Sequence, residues 1–571
     1  MPTCQKCFGL CAIVVTAFSQ SALAADTLLV HGHIYTGDSR APWAQALAIT
    51  GTRIDAVGTD REVLARRKAK TAVIDLQGRT VIPGISDSHA HMWFGSMALH
   101  GVNLSTPQSS ITPDDADALG QRIKAYAESH PSDKILYGRA DFSTTPPSTP
   151  THELLDRAVS DRPLVVHHVW EHALWLNAKA LAMAGIGDQP VADPEEEKGI
   201  VRDASGHPRG VLLEAAMEVM ERAVSTLLSR EDKLALLRNA SQYLNRYGIT
   251  SVVNATGSLQ ELELYATLRD RGQLTVRTRT SFGAVAVNHR LTPELLAGLD
   301  KARTLFHDDW VSADLVKFFA DGGSGLVPPL TYVPAEYKKL VVELDQRGYQ
   351  LMTHTLRSDS TRLVLDAYEE AAKTNGPRDR RLRIEHGQFF TALDLPRVAK
   401  LSAVVSAQPS FCCSDIGSNY DPTDKAPTDR WRSLLNSGAV LAFSSDWPCT
   451  WPPDPFVGIQ QAVTRQIWRP ATSSGFAGGA FDGAGQAGSV PTKDVYVPEE
   501  RITVTEAVNA YTRGSAYARF ADDRIGTLMP GKEADLAVLS QDLFSVPPEE
   551  IGRTKAVLTM VGGKVVFTEL Q

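Results

Sequence analysis

The sequence predicts a mixed α/β chain, a (β/α)8 TIM-type barrel carrying a small β-sandwich domain built from both chain ends. Glycine-punctuated strand patterns open the chain, a matching set closes it, and strand-like apolar runs alternate with helical patterns in between. No G-x-G-x-x-G follows any central strand-like run, so a closed barrel accommodates the repetition better than an open doubly wound sheet.

Residues 1–24 read as a signal peptide. Lys6 lies in a short charged start, Phe8 to Phe18 is an apolar run, and Ala22-Leu23-Ala24 is a small-residue cleavage pattern. The run falls short of the roughly 20 residues that a membrane-spanning helix needs. A buried N-terminal helix is the alternative, but the run has neither a cap nor helical periodicity. The mature chain is therefore expected to be secreted or periplasmic, with no integral membrane association. Cys4, Cys7 and Cys11 would leave with the signal; Cys412, Cys413 and Cys449 are too few for a disulfide framework. A bridge between adjacent cysteines is strained, so these three are expected as buried thiols, with a disulfide or a ligand role as the alternative.

Residues 25–83 hold six strand-like runs: Thr27–Val30, Gly32–Thr36, Ala46–Ile49, Arg53–Val57, Val73–Leu76 and Gly78–Ile82. Residues 526–571 hold three more, Ala534–Leu539, Ala556–Val561 and Lys564–Phe567. Neither set alone makes a stable pair of sheets, so the two ends are expected to fold together as one domain. Residues 84–525 are assigned to the barrel with insertions. Its expected strands are Leu164–Val169, Ser251–Asn254, Leu315–Phe319, Gln350–His354, Leu382–His386, Val404–Ser406 and Val440–Phe443, with amphipathic helices at Leu234–Tyr247 and Ser360–Lys373. Thr472–Lys493, rich in Gly, Ala and Ser, reads as a mobile loop or as a linker-like disordered segment.

Composition narrows the function. With 571 residues, 43% hydrophobic and 22% charged, the chain is neither a small stapled scaffold nor wholly disordered. Lys+Arg of 58 against Asp+Glu of 66 gives net −8, which offers no basic field to a phosphate backbone, so no nucleic acid partner is expected. P-loop and G-x-S-x-G motifs are absent. Trp447, Trp451 and Trp468 are expected mainly as core, His167-His168 as an alternating pair on a strand, and Asp114, Asp115 and Asp117 as a helix N-terminus.

The sharpest motif is Pro83-Gly-Ile-Ser-Asp87-Ser-His89-Ala-His91, directly after the strand-like Thr80–Ile82. Residues i and i+2 of an extended chain share a face, so His89 and His91 would offer two imidazoles to one cation. His31-Gly-His33 has the same spacing inside the expected sandwich, with no further ligand candidate nearby. Company separates the two pairs. Lys317, His354, His386 and Asp446 each fall at the C-terminal end of a strand-like run, where barrel active sites lie. Three or more N/O ligands with an open position make a catalytic metal site, whose ion lowers the pKa of water to about 7. Hydrolysis of a small-molecule substrate is the expected outcome.

With these motifs on the page, the chain resembles the amidohydrolase superfamily, and within it the amidohydrolase-3 or YtcJ-like branch that includes N-substituted formamide deformylases. The resemblance runs from Ala25-Asp-Thr-Leu-Leu-Val-His-Gly-His-Ile-Tyr-Thr-Gly37 through Gly248-Ile-Thr-Ser-Val, Lys317-Phe-Phe-Ala-Asp-Gly-Gly323, Arg383-Ile-Glu-His386 and Ser445-Asp-Trp-Pro448 to Pro530-Gly-Lys-Glu-Ala-Asp-Leu536. It implies that His89 and His91 are first-strand metal ligands, His354 and His386 fifth- and sixth-strand ligands, and Asp446 the eighth-strand carboxylate. It implies for Lys317 a carboxylated lysine bridging two metals; an unmodified lysine beside one metal stays open. His172 resembles a substrate-side residue that polarises the scissile carbonyl, with a packed, hydrogen-bonded histidine as its alternative. Where the family reads His-Ala-Ile-Gly-Asp, this chain reads His354-Thr-Leu-Arg-Ser358-Asp359, which sets the surroundings of that ligand apart from the family pattern.

The resulting expectation is a metal-dependent hydrolase of carbon–nitrogen bonds other than peptide bonds, such as N-acyl, N-formyl or cyclic amides. One or two divalent ions, zinc by the imidazole-rich ligand set, would be held by His89, His91, Lys317, His354, His386 and Asp446, with Asp446 and His172 as catalytic groups. An ester or lactone hydrolase in the same site and a non-catalytic binding or regulatory protein on the same barrel are the alternatives. Oligomeric state stays open, a homodimer being the candidate.

Overall fold

The computed structural model describes residues 25–104, 113–144, 149–169, 171–282, 291–321, 330–412, 428–470, 489–491 and 494–570. Residues 1–24, where the signal peptide is expected, Cys413 and most of Thr472–Lys493 lie outside the described residues; Ser489–Pro491 pairs antiparallel with Trp468–Pro470.

Eight parallel strands form the central sheet: β1 Ile85–Ala90, β2 Ile249–Gly257, β3 Arg277–Phe282, β4 Val311–Phe319, β5 Gln350–Thr355, β6 Arg383–His386, β7 Val404–Ala407 and β8 Val440–Phe443. Each pairs with its successor. Past their ends, the Asp446 N–H donates to the His89 carbonyl (2.8 Å) and the His91 N–H to the Trp447 carbonyl (2.7 Å), so β8 meets β1 and the barrel is nearly closed. Helices at Arg230–Asn245 and Ser358–Asn375 stand where amphipathic patterns predict them. The first begins with a reciprocal cap between Ser229 and Asp232.

Three strands differ from the sequence reading, the first being β1, a barrel strand outside the expected set. Leu164–His168 is not a barrel strand; it belongs to a six-stranded sheet inserted between β1 and β2, ordered Ile200–Arg202, Pro208–Leu213, Ala173–Leu176, Leu164–His168, Leu136–Ala140, Val102–Asn103. A short apolar run buried on both faces reads alike in either sheet. β3 replaces it in the barrel, and its sequence Arg-Thr-Arg-Thr-Ser-Phe conceals a buried strand. Its arginines are accommodated by partners: Arg279 donates to Asp314 (2.8 Å) and Gln350 (2.5 Å).

Both chain ends share one sheet, because Thr80–Pro83 pairs antiparallel with Leu536–Leu539. A second sheet of Arg53–Gly58, Ala46–Thr50, Thr27–Val30 and Ala72–Asp75 packs on it. Leu29, Leu47 and Val81 from one end meet Leu536, Val538 and Met560 from the other in a single apolar cluster. Pro113–Ser129 is helical, placing Asp114, Asp115 and Asp117 at its start. Cys449 is free and buried, as expected, but Cys412 is disulfide-bonded to a residue outside the described set, so its sulfur is committed to a covalent bond and is no thiol. Among the described residues no helix is long and apolar enough to cross a membrane.

A buried ion cluster clamps the sandwich to the barrel. Arg277 on β3, 4% exposed, donates to Asp535 (2.8 and 3.2 Å) and Glu533 (3.0 Å). Removing one partner of such a cluster strands buried charge and costs about 3–5 kcal/mol, whereas an exposed pair contributes about 1 kcal/mol or less. Arg277→Ala should therefore lower the thermal and urea midpoints well below those of Arg53→Ala, which removes a half-exposed partner of the same Glu533. Equal midpoints would show that Arg277 does not clamp the two parts.

Candidate metal centre

The strand order delivers the six candidate ligands to one end of the barrel. β1 carries His89, and His91 opens the helix Met92–Ala98 directly after it. Lys317 lies on β4, His354 on β5, His386 ends β6, and Asp446 follows β8. Ligand atoms of His89, His386 and Asp446 lie within 4.8 Å of one another. Asp446 Oδ1 is 3.2 Å from His91 Nε2 and 3.5 Å from His89 Nε2, and Lys317 Nζ is 3.2 Å from His89 Nε2. The His354 ring packs against that of His386, centroids 4.4 Å apart. All are buried except His91, which is half-buried.

Three of the four imidazoles are aimed by a partner on the far side. Glu385 Oε2 takes His89 Nδ1 at 2.5 Å, and Arg383 holds the same carboxylate through both oxygens (2.7 and 2.9 Å). His91 Nδ1 meets Thr256 Oγ1 (2.8 Å), and His386 Nδ1 meets Gln408 Oε1 (2.7 Å). On His89 and His386, where the partner oxygen can only accept, the bond fixes the proton on Nδ1 and leaves Nε2 as the acceptor that a metal requires. Burial, reinforced by neighbouring cationic groups, pushes His89 and His354 well below the usual histidine range and His386 down to about 4, so these rings are neutral. Burial opposes charge on Asp446 too, but the neighbouring His91 and Lys317 hold it below the usual carboxylate range.

The residues fit a divalent cation. Asp446 Oδ1 and His354 Nε2 are buried without a hydrogen bond of good geometry, although acceptor and imidazole atoms crowd there. An ion among N and O donors would satisfy them. His386 and Asp446 adopt left-handed backbone, φ 63° and 56°, a conformation that costs about 1–3 kcal/mol outside glycine and clusters at functional sites.

His172 lies beside this group, its ring 5.9 Å from that of His354 and its Nδ1 3.0 Å from Glu214 Oε2. Burial lowers its proton affinity, but the charge and hydrogen bond of Glu214, with Asp446, outweigh that and raise it. His31 and His33 stay in the sandwich, paired to Asp75 (3.1 Å) and Asp542 (3.2 Å). His167 and His168 alternate on the inserted sheet, bonded to Glu171 (2.8 Å) and Asp141 (3.3 Å). Trp447 is core, stacked with Trp451 and Tyr243; the Trp468 side chain lies outside the described residues. Sequence reasoning missed Glu385, Arg383, Gln408, Glu214 and Asp321. Glu385 alone left a signal, a carboxylate directly before a ligand histidine on a strand that should be apolar.

A parallel barrel that gathers imidazoles, a lysine and a carboxylate at its strand ends defines a metal-dependent hydrolase. The chain belongs to the amidohydrolase family, whose model matches residues 72–567. It is 28% identical to Protein LONG AFTER FAR-RED 3 of Arabidopsis thaliana over 96% of this chain and 92% of that protein. It is 26% identical to N-substituted formamide deformylase of Arthrobacter pascens over 94% of this chain and 97% of that one. An uncharacterized metal-dependent hydrolase from Pyrococcus furiosus superposes with a TM-score of 0.65 at 25% identity, covering 91% of this chain and all of that one.

Glu385→Gln should weaken metal binding about 10–100-fold, the usual effect of losing a carboxylate behind a ligand histidine. Equilibrium dialysis against Zn2+ measures it, with His31→Ala/His33→Ala as the variant that keeps its metal. Unchanged affinity in Glu385→Gln would remove Glu385 from the site.

Proposed function

We propose that the chain hydrolyses carbon–nitrogen bonds of small molecules, in N-acyl, N-formyl or cyclic amides. The observation that carries this reading is the buried Asp446 carboxylate set among His89, His91 and His386 at the barrel mouth; the likeness to a formamide deformylase along nearly the whole chain supports the bond class. His89, His91, Lys317, His354, His386 and Asp446 would hold one or two divalent ions, zinc suiting the imidazole-rich set. Bound there, the metal supplies Lewis acidity and makes water a nucleophile near neutral pH.

The chain's own groups perform the proton transfers. Asp446 takes the proton of the attacking water on a carboxylate oxygen and returns it to the leaving nitrogen, which otherwise departs as a poorly stabilised anion. His172 in its protonated form, which Glu214 favours from Nδ1, donates from Nε2 to the carbonyl oxygen as negative charge develops. Lys317 suits carboxylation: burial pulls it down to about 8, which leaves a neutral amine fraction able to add to carbon dioxide. The N–C bond forms, the nitrogen loses a proton, and an anionic oxygen pair replaces a repelled ammonium. The signal-peptide pattern of residues 1–24 supports a secreted or periplasmic location.

A screen of N-formyl, N-acyl and cyclic amides with metal-loaded protein tests the reaction. Asp446→Asn should lose about 10²–10⁴-fold in kcat on an amide and less on an activated ester of the same acyl group, whose leaving group needs little protonation. Equal losses at equal metal content would reduce Asp446 to a ligand. Lys317→Glu, which restores a carboxylate, should keep more metal than Lys317→Ala. The reverse order would speak against a carbamate.

A further inference from the structure

Asp87 on β1 is buried, and the proton transfers above do not use it. Among the described residues it has no ion pair, and its charge is met by three donors: the Ser445 hydroxyl on Oδ2 (2.5 Å), the Ser445 N–H on Oδ1 (3.1 Å) and the His89 N–H, also on Oδ1 (3.2 Å). The Ser445 oxygen accepts in turn from the Trp447 N–H (3.0 Å). A single side chain of β1 thus grips the residue before Asp446, and that residue grips the one after it.

These bonds lie at the seam of the barrel. The eight-stranded sheet ends on β1 and β8, and no ladder joins the two. Beside the backbone bonds from Asp446 to His89 and from His91 to Trp447, the Asp87–Ser445 link ties the turn after β8 to the strand that carries His89. Asp446 has left-handed backbone, φ 56°, a conformation that a residue other than glycine keeps where its surroundings over-determine it. The bonds on Ser445 and Trp447 pin the chain on both sides of Asp446, and its carboxylate then stands 3.2 Å from His91 Nε2 and 3.5 Å from His89 Nε2.

We infer that Asp87, acting through Ser445, is the positioning residue that aims the Asp446 carboxylate at the His89–His91 pair. Asp87 and His89 are two apart on β1 and share a face, so the face that presents an imidazole to a cation also carries the hook for the turn that bears Asp446. The task needs a carboxylate, because both of its oxygens accept. An amide in its place would set an N–H donor either against the Ser445 hydroxyl, which already accepts from Trp447, or against the two backbone N–H groups. The effect on proton transfer rests on the hydrolase reading above; the effect on metal binding rests only on the ligand cluster.

The experiment therefore has two arms, both on the full chain. In the first, equilibrium dialysis against Zn2+ compares Asp87→Asn, Ser445→Ala and their double variant with Ser86→Ala, whose hydroxyl on the same strand is buried without a partner. Asp87→Asn and Ser445→Ala should each bind zinc about ten-fold more weakly or worse, while Ser86→Ala stays within about two-fold. The double variant should match the weaker single, because both changes break one link. Unchanged affinity in the two singles, losses that multiply in the double variant, or an equal loss in Ser86→Ala overturns the inference. A lowered thermal midpoint at unchanged zinc affinity, the result of a merely structural role, overturns it as well. Should Asp87→Asn fail to fold, Ser445→Ala against Ser86→Ala decides. In the second arm, at saturating zinc, the ratio of kcat on an amide to kcat on an activated ester of the same acyl group should fall about ten-fold or more in Ser445→Ala; an unchanged ratio overturns the aiming of Asp446. If the unaltered chain hydrolyses neither substrate, the proposed function fails, and the dialysis arm still decides the role of Asp87.

Discussion

The buried link from Arg383 through Glu385 to His89 is the interaction on which the site depends. Glu385 spends one oxygen on Arg383 and the other on both His89 and Arg383. Arg383 also donates to the Ser88 carbonyl (2.6 Å), so β6 is tied to the backbone of β1 as well as to its histidine. The charge of Glu385 is tolerable at 0% exposure only because a guanidinium neutralises it, and it is useful only because the imidazole then has one orientation and one tautomer. Deleting Arg383 would unbalance Glu385, deleting Glu385 would free His89, and a freed His89 would leave Lys317 and Asp446 with no fixed neighbour. The ligand positions thus inherit their geometry from a salt bridge that touches no substrate.

The parts of the fold legible in the sequence are those where periodicity and company agree. The sandwich strands are short, alternate and punctuated, and their two halves are individually too few, so shared folding follows from counting. His89 and His91 stand apart from His31 and His33 because four later strand ends carry ligand chemistry, and the structure gathers these six. Illegible were the elements whose polarity is paid for elsewhere in the fold. β1 reads Ile-Ser-Asp-Ser-His-Ala and β3 reads Arg-Thr-Arg-Thr-Ser-Phe, yet Asp87 is bonded by Ser445 (2.5 Å) and Arg277 by Asp535 and Glu533, partners hundreds of residues away. No local window contains those partners. Glu385, Gln408 and Thr256 were missed for the same reason, because a residue that orients a ligand is defined by contact across strands.

The inserted sheet changes what the barrel mouth can recognise. Its strand Leu164–His168 ends in two histidines, and Glu171, at φ 57°, turns the chain so that His172 faces His354 while His167 lines a small cavity beside Phe94. One insertion therefore brings a histidine to the edge of the metal centre and lines the cavity beside it. Rigid strands hold the ligands, and the insertion, which other barrels of the same architecture are free to vary, sets what sits opposite them.

The departure after β5 is absorbed by a residue that follows β4. Asp321 Oδ2 accepts the backbone N–H groups of Leu356 (2.8 Å) and Arg357 (3.0 Å) and the Ser360 hydroxyl (2.6 Å), so one carboxylate shapes the turn that leaves His354. Its other oxygen faces His354 Nε2 at 3.4 Å with no hydrogen bond of its own. Burial raises Asp321 to about 7 despite these donors, as expected for a carboxyl whose second oxygen still lacks a partner. Arg357, which stands where the family has glycine, turns its guanidinium outward onto Asp359 (3.0 and 3.1 Å). Arg357 is thus satisfied by Asp359, while the backbone beneath answers to Asp321. His354 keeps its place because its turn is held from the residue that follows β4.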